Sequence, residues 1–197
     1  TLLFSLFGDH PDVRFTATSD PKQPGDRLYL VGRSPHELGA SELSFMLKES
    51  GEASGVGGTP PQLEHPERNL AMYRALSTAI QTGLIQTAHD CSEGGVGVAV
   101  AEMCIGGRLG ATIDLDGTGH ESLWARLWGE SLGRFVVAVK PEKEHEFITW
   151  MSGQPITFLG EAIEGPNLTI CDGYDEILTA DVEAMVASWQ GALDMTG

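Results

Sequence analysis

The chain has 197 residues, of which 41% are hydrophobic and 25 are glycine, a composition typical of a globular protein rich in turns. Its 28 acidic residues against 12 basic ones give a formal net charge of −16, which disfavours nucleic-acid binding because that requires clustered cations. No apolar run approaches the roughly 20 residues of a membrane helix, and the opening Leu2–Phe7 is too short and lacks the basic flank of a signal peptide.

The number and spacing of the cysteines indicate the redox state of the compartment in which the protein works. Cys91, Cys104 and Cys171 are odd in number and widely spaced, and no two of them form a CxxC pair. This pattern fits a reducing cytoplasm better than a disulfide scaffold or a zinc site, and we predict no metal ligands in this chain. The first residue is Thr1 rather than Met, so we expect residues 1–197 to be a single domain and a fragment of a longer polypeptide.

Strands and helices are predicted to interleave along the chain. The first half contains strands at Val13–Thr16 and Leu28–Val31, a helix capped by Ser41, a long Gly- and Pro-rich loop over Gly51–His65, and a helix from Pro66 to Gly83. The second half contains a strand at Leu84–Ala88, a glycine turn and helix, a strand at Ala111–Leu115, a helix at Glu121–Trp128, a strand at Phe135–Val139, a helix at Pro141–Met151, strands at Ile156–Gly160 and Leu168–Cys171, and a helix capped by Thr179 that ends near Leu193. This order predicts an α+β fold, a layered sandwich on a mixed sheet.

The segment from residue 84 to 102, LIQTAHDCSEGGVGVAVAE, is the most informative part of the chain. An apolar run predicts a buried strand, a polar turn follows, and Gly94 and Gly95 lead into an apolar helix. Adjacent glycines let the backbone bend sharply and come close to another segment or a ligand. Asp90 and Ser92 are placed to cap the new helix, whose positive N-terminus favours an anion. The residues therefore predict a strand, a capped glycine turn and a helix suited to a phosphate neighbour.

Three segments resemble a known family and keep its order. The His-Asp-x-Ser-x-Gly-Gly turn at residues 89–95, followed by a small-residue helix, resembles the C-terminal domain of the aminoimidazole ribonucleotide synthetase superfamily. Glu37–Glu42 (ELGASE) is similar to the Glu-Leu-Gly-Gly-Ser-Glu segment of phosphoribosylformylglycinamidine synthase, with Ala40 in place of a usual glycine. Gly129–Arg134 (GESLGR), before a predicted strand, resembles the Glu-Ser-x-x-Arg segment of that enzyme.

The resemblance implies an ATP-dependent amidoligase of purine biosynthesis. ATP activates the formyl amide oxygen of formylglycinamide ribonucleotide, and ammonia from glutamine displaces phosphate to give the amidine. The resemblance also implies that ATP and magnesium are bound mainly by a preceding synthetase domain, and that a glutaminase subunit or domain supplies ammonia. This chain alone is then inactive and carries no catalytic residue.

The ligand-binding candidates are expected at the mouth of a cleft shared with the preceding domain. Arg134 is expected to offer its guanidinium at the surface to a phosphate, in bidentate fashion. In the simpler alternative, Asp90 and Ser92 only cap a helix, and Arg134 only pairs with Glu130. The full set of candidates is Asp90, Ser92, Gly94, Gly95, Glu130, Ser131 and Arg134.

Other functions compete with this interpretation. The chain could belong to another superfamily member, such as a hydrogenase-maturation, selenophosphate or thiamine-phosphate enzyme, although Glu37–Glu42 speaks against it. It could also be a non-catalytic interaction domain that kept the fold.

Three short motifs imitate other chemistry. Gly129–Gly133 matches the GxSxG nucleophile elbow, but a helix precedes it and a strand follows, which reverses the order of that elbow. Gly95–Gly97 imitates a dinucleotide fingerprint whose third glycine is missing at Val100, so we predict helix packing instead. His89 and Cys91 suggest a thiol–imidazole pair, but we predict that Cys91 is a buried structural residue.

Overall fold

Seven strands and six α-helices make up the part of the chain that a computed structural model describes, which is residue 5 and residues 7–10, 12–51, 58–63, 65–119 and 122–191. The strands are β1 (Arg27–Val31), β2 (Thr87–Asp90), β3 (Gly110–Asp114), β4 (Phe135–Val139), β5 (Ile156–Ile163), β6 (Asn167–Asp172) and β7 (Asp175–Asp181). The helices are α1 (Glu42–Glu49), α2 (Pro66–Gln81), α3 (Gly95–Gly107), α4 (Leu123–Trp128), α5 (Glu144–Trp150) and α6 (Val182–Gly191).

All seven strands form one mixed sheet in the order β2-β4-β1-β5-β3-β6-β7. Its neighbouring strands are antiparallel except for β3 and β6, which run parallel. Val31 pairs with both Phe135 and Ile156, and Asp90 also pairs with Phe135. The last residues of β1 and β2 therefore lie beside the first residues of β4 and β5. We call this end of the sheet the motif end.

Each face of the sheet carries its own hydrophobic core. On one face, apolar residues of α3 pack with Val182 of α6 and Leu127 of α4 against the sheet. On the other face, residues of α2 and α5, including Leu76 and Phe147, pack against β1 and β4. The predicted α+β sandwich on a mixed sheet is thereby confirmed. No helix among the described residues is both long and apolar enough to cross a membrane.

Two predicted strands near the start and centre of the chain need correction. Residues Val13–Phe15 form a short 3-10 helix rather than a strand, because the Asp12 carboxylate accepts hydrogen bonds from the Arg14 backbone and side chain. The strand predicted at Leu84–Ala88 begins only at Thr87. Leu84 and Ile85 are apolar because they are buried in the connection before β2, not because they pair in the sheet.

The end of the chain also differs from its prediction. Thr179 does not cap a helix but lies inside β7, where its hydroxyl is 3.2 Å from that of Thr169 in β6. The last helix begins at Val182, and the Asp181 side chain accepts a hydrogen bond from the Ala184 backbone in its first turn. The predicted helix end near Leu193, the helix start at Glu121 and about half of the loop from Gly51 to His65 lie outside the described residues.

Candidate functional site

The glycine turn before α3 lies directly on the loop between α4 and β4. We call residues 91–95 the glycine turn and residues 129–134 the motif loop. The backbone N–H of Cys91 donates to the Arg134 carbonyl oxygen at 2.9 Å. Gly95 has a φ of 62°, and a β-carbon there would lie 2.9 Å from the Leu127 carbonyl oxygen and closer still to that of Gly129. The two segments therefore touch through their backbones, which only glycine permits at this position.

Glu130 joins this contact to a third segment. Its Oε1 accepts a hydrogen bond from the Gly94 backbone N–H at 2.9 Å, next to the start of α3. The same oxygen accepts a hydrogen bond from the Glu42 backbone N–H at 2.9 Å, at the start of α1. Helix N-termini carry unpaired N–H groups and a partial positive charge, so they attract an anion. At both of these N-termini the anion is the chain's own carboxylate.

Asp90 and Ser92 do not cap α3, contrary to the prediction from the sequence. The residue before the helix is Gly94, whose φ is 75°, and no side chain of the helix start itself provides a cap. The Ser92 hydroxyl donates instead to the Asp90 carboxylate, and both residues are exposed. Glu130 takes over the role expected of them, because its carboxylate binds the Gly94 amide from the neighbouring loop.

Arg134 lies inside the protein, so the prediction that it offers a cation at the surface is wrong. Its residue exposure is 1%, its Nη1 donates to the Ser34 hydroxyl at 2.9 Å, and its Nη2 donates to the Gly129 carbonyl oxygen. No ion pair among the described residues joins it to Glu130. Burial lowers the pKa of its guanidinium, although arginine keeps its charge at any physiological pH. Arg134 therefore braces the motif loop against the segment that follows β1.

Ser131 faces a cleft on the α2 side of the motif end, which we call the motif-loop cleft. Its volume is about 670 Å³, within the usual range for small-molecule sites. Ser131 is only 2% exposed, and its hydroxyl has no hydrogen-bond partner among the described residues. The other polar residues that the cleft gathers include Arg33, Glu37, Gln62, Arg68, Asn69 and Gln154.

The motif patterns do not single out Arg33 or Arg68. Arg33 follows β1 by two residues at the motif end, and Arg68 lies in the first turn of α2. Their positions after a buried strand and at a helix start were available signals, because side chains at such points face the ends of a sheet. Only the fold shows that they line the same cleft as Ser131.

The ELGASE segment, Glu37–Glu42, is held by the loop before α2. The Gly39 backbone N–H donates to the Thr59 carbonyl oxygen at 3.0 Å, and a β-carbon on Gly39 would lie 2.8 Å from that loop's backbone. Ser41 caps α1 as predicted, since its hydroxyl oxygen accepts from the Ser44 backbone N–H. Ala40 has a φ of 61°, a left-handed conformation that normally favours glycine.

The three imitating motifs are structural in this fold. Ser131 follows α4 and precedes β4, so the order of elements excludes a nucleophile elbow, as predicted. Gly97 packs α3 on α4, because a β-carbon there would lie 2.8 Å from the Trp128 ring. Cys91 is buried, which raises the pKa of its thiol to about 12, and the Nε2 of His89 lies 3.1 Å from Glu102. Cys91 is therefore a packing residue.

The described residues do not assemble a metal site. Nowhere in the described part of the chain do three or more His, Cys, Asp or Glu side chains come together as ligands for a metal ion. Magnesium in nucleotide enzymes is usually held by one or two carboxylates together with substrate phosphates, and the described residues present no fuller set of ligands than that.

These elements define an α+β domain in which three loops converge at one end of a mixed sheet. The model of the family described as AIR synthase related protein, C-terminal domain, matches residues 23–172, about three quarters of the chain. The chain belongs to this family.

Solved structures share the fold. The structure described as Thermotoga maritima PurL complexed with FGAR matches with a TM-score of 0.70 and 21% identity, covering 88% of this chain and 30% of that one. T. maritima PurL complexed with ATP matches with a TM-score of 0.66 and 20% identity, covering 88% and 28%. Escherichia coli HypE matches with a TM-score of 0.59 and 15% identity, covering 84% and 52%. The chain thus spans less than a third of the PurL chains that it matches.

Proposed function

We propose that this chain is the C-terminal domain of a PurL-like phosphoribosylformylglycinamidine synthase. The observation that carries the proposal is the convergence of three separate segments on one carboxylate. Glu130 of the motif loop accepts a hydrogen bond from the backbone N–H of Glu42, which is the last residue of the ELGASE segment and the first of α1. It also accepts one from Gly94 of the glycine turn. In sequence, the ELGASE segment and the motif loop resemble this enzyme, and the glycine turn resembles the wider superfamily to which the enzyme belongs. Their meeting at one end of the sheet supports one shared role.

In this proposal the domain forms one wall of a cleft, and a preceding synthetase domain forms the other. The complete enzyme uses ATP to activate the formyl amide oxygen of its ribonucleotide substrate, and ammonia from a glutaminase partner displaces phosphate. We assign ATP and magnesium mainly to the preceding domain, as the resemblance to this enzyme implies. Residues 1–197 are then one domain of a longer cytoplasmic protein.

The role of this chain is to hold the substrate-facing loops in position. The Arg134 guanidinium holds the motif loop to Ser34, in the segment after β1. The Glu130 carboxylate holds the same loop to the start of α1 and to the glycine turn. Backbone amides and small residues at such a junction can approach a substrate closely. Among the predicted site residues, we keep Ser131 as a ligand contact and interpret Glu130 and Arg134 as positioning residues. Asp90, Ser92, Gly94 and Gly95 form the rim.

The test is an activity measurement on the full-length polypeptide. With ammonia, ATP and formylglycinamide ribonucleotide, the full-length protein should form the amidine, detected by mass spectrometry, and release ADP. The 197-residue chain alone should do neither, because this proposal assigns nucleotide binding mainly to the preceding domain. Turnover by the isolated chain would refute the assignment of catalysis to the preceding domain.

Two other outcomes would favour the alternatives. The structural likeness to HypE makes a hydrogenase-maturation role the first alternative. ATP consumption that depends on a different acceptor, with no amidine formed, would support that alternative. A reading frame without an ATP-binding synthetase domain would support a non-catalytic interaction domain.

A further inference from the structure

We propose that the motif-loop cleft binds the phosphate group of a sugar phosphate, with Arg33, Arg68 and Ser131 as the phosphate ligands. In the same proposal the Glu37 carboxylate accepts hydrogen bonds from the sugar hydroxyls. That this sugar phosphate is part of the substrate of the whole protein rests on the proposed function. The binding site itself rests on the geometry of the described residues.

Ser131 is the strongest local indication of a ligand. Its hydroxyl is buried, lines the cleft and has no hydrogen-bond partner among the described residues. Leaving a buried polar group unpaired costs about 1–3 kcal/mol, so such groups in folded proteins normally have a partner. The motif loop is also held rigidly, because Arg134 and Glu130 bind it from two sides. A ligand oxygen in the cleft would supply the missing partner once the Ser131 side chain turns toward it.

Charge at the cleft points to an anion. Six other basic residues have a carboxylate partner within the described part of the chain, namely Arg14, Lys22, Arg27, Arg108, Arg126 and Lys143. Arg33 and Arg68, by contrast, have neither an ion pair nor a hydrogen bond among the described residues. Lys48, Arg74 and Lys140 also lack an ion pair among the described residues, but they lie outside the cleft. In a chain of net charge −16, the cleft thus gathers two unpaired guanidinium groups beside one carboxylate, that of Glu37. Guanidinium groups bind phosphate in bidentate fashion.

Helix α2 adds to the positive electrostatic potential that the two arginines create at the cleft. It has 16 residues, its N-cap residue His65 lines the cleft, and no side chain caps its N-terminus. Arg68 lies in its first turn, so the guanidinium and the positive end of the helix act in the same region. The helix end alone would not define a site, but here it reinforces the unpaired serine and the two arginines.

The remaining lining residues favour a sugar over a nucleotide base. Glu37 is 6% exposed, and one of its oxygens accepts from the Gln62 backbone N–H at 2.9 Å, while the other has no partner among the described residues. Asn69 and Gln154 supply amide donors and acceptors. No Phe, Tyr or Trp is among the described residues that line the cleft, so it offers no aromatic ring on which a base could stack. A hydroxyl-rich ligand suits these groups better.

The experiment measures binding to the 197-residue chain by calorimetry and by chemical shifts of the Ser131 and Gly133 amides. The probes are ribose 5-phosphate, inorganic phosphate, ribose and AMP. Ribose 5-phosphate should bind most tightly, inorganic phosphate more weakly, and ribose not detectably. Ser131→Ala, Arg33→Gln and Arg68→Gln should each weaken ribose 5-phosphate binding about tenfold, the effect of losing one charged hydrogen bond.

Arg74→Gln is the matched control. Arg74 is an exposed arginine on the same helix as Arg68, outside the cleft, and its replacement removes the same charge. If Arg74→Gln and Arg68→Gln weakened ribose 5-phosphate binding equally, the loss would come from the net charge of the protein and not from a contact in the cleft. That result would overturn the site. Binding of AMP much tighter than that of ribose 5-phosphate would show recognition of the base and overturn the sugar assignment, as would equal affinities for ribose 5-phosphate and inorganic phosphate. No binding of any phosphate would overturn the whole proposal.

These measurements also separate the site from the proposed function. They use no turnover, so binding in a protein that forms no amidine would leave the site standing and refute only the reaction. Thermal unfolding of each variant shows whether it folds. Arg33 and Arg68 are exposed side chains, and their replacement should leave the unfolding temperature unchanged.

Discussion

The Glu130 carboxylate and the Gly94 backbone N–H form a hydrogen bond of 2.9 Å between residues 36 positions apart in the chain. The same oxygen binds the backbone of Glu42, so one side chain fastens the start of α1 and the turn before α3 to the motif loop. An internal carboxylate thus occupies the place that a phosphate would take at these helix ends. The cleft proposed to bind a phosphate lies on the other side of the loop, where Ser131 and two arginines line it.

Replacing Glu130 tests this fastening. Glu130→Ala leaves the amides of Gly94 and Glu42 without their acceptor, and we expect a loss of about 1–3 kcal/mol in unfolding free energy. Glu130→Gln keeps an acceptor oxygen without the charge, so its unfolding free energy should lie between those of the wild type and Glu130→Ala. Urea denaturation measures the loss, and hydrogen exchange should accelerate at both amides together. Glu93→Ala, an exposed carboxylate on the neighbouring turn, is the control and should change neither. Unaltered exchange in Glu130→Ala would contradict the role.

Gly95 should tolerate no side chain. Gly95→Ala places a β-carbon against the Leu127 and Gly129 carbonyl oxygens and also forces alanine into a φ of 62°. We expect a loss of several kcal/mol, at the upper end for single substitutions. Gly83→Ala measures the cost of the left-handed backbone conformation alone, because Gly83 has a φ of 73° but no atom within 4 Å of the added carbon. It should cost only about 1–2 kcal/mol. Equal losses in the two variants would show that close packing at Gly95 is unimportant.

Local chemistry made much of this fold predictable. A glycine pair after an apolar strand indicates a tight turn whatever surrounds it, and Ser41 and Pro66 mark helix starts through their own bonding preferences. The glycine turn, the helices α1 and α2 and the mixed sheet all follow from such signals. The strand β7 does not, because its sequence, DEILTAD, is largely exposed and lacks the apolar alternation of a half-buried strand.

The details of the site depended on partners distant in sequence. Glu130 and Arg134 stand four residues apart in a loop, which suggests a local ion pair, yet each bonds to a different distant segment. Nothing in the spacing of the motif reveals that the serine and glutamate of the loop face different sides of the sheet. Likewise Arg33 and Arg68 come together only because β1 and α2 end at the same edge.

Ala40 is strained, so its replacement by glycine should stabilise the protein. The left-handed conformation at φ 61° costs alanine about 1–2 kcal/mol, and glycine adopts it freely. After the greater flexibility of glycine in the unfolded chain is subtracted, a gain of about 0.5–1 kcal/mol remains. Chemical denaturation measures it. Ala71→Gly, at an exposed position inside α2, should change stability in the opposite direction by about 1 kcal/mol. A destabilised Ala40→Gly would show that the observed φ carries no strain.

The ion pair between Asp172 and Arg126 should make stability depend on pH. The hydrogen bond from the Arg126 guanidinium holds the pKa of the Asp172 carboxyl below its usual value of about 4. A depressed folded-state pKa contributes stability above the unfolded-state value, and the contribution is lost as the pH falls through the folded-state value. Asp172→Asn should therefore cost about 1 kcal/mol near neutrality, and the difference should shrink below about pH 4. A constant difference in urea midpoints across this range would contradict the linkage.

Substitutions of Arg134 and of Arg33 should have different effects, the first on stability and the second on ligand binding. Arg134 is buried and donates to Ser34 and Gly129, so Arg134→Ala removes packed volume and leaves both oxygens without their donor. We expect a loss of several kcal/mol and a lower unfolding temperature. Arg134→Lys keeps the charge but lacks the planar fork that reaches two acceptors, and it should recover only part of that loss.

Arg33 provides the comparison because it lies near the same loop and has no partner among the described residues. Arg33→Ala should leave the unfolding temperature within about 2 °C of the wild type while weakening binding of ribose 5-phosphate. The contrast follows from burial: a cation enclosed by protein acceptors supports the loop, whereas an uncompensated cation at a cleft is available to a ligand. An Arg134→Ala protein that melts like the wild type and only loses phosphate binding would reverse the two roles and show that Arg134 contacts the ligand.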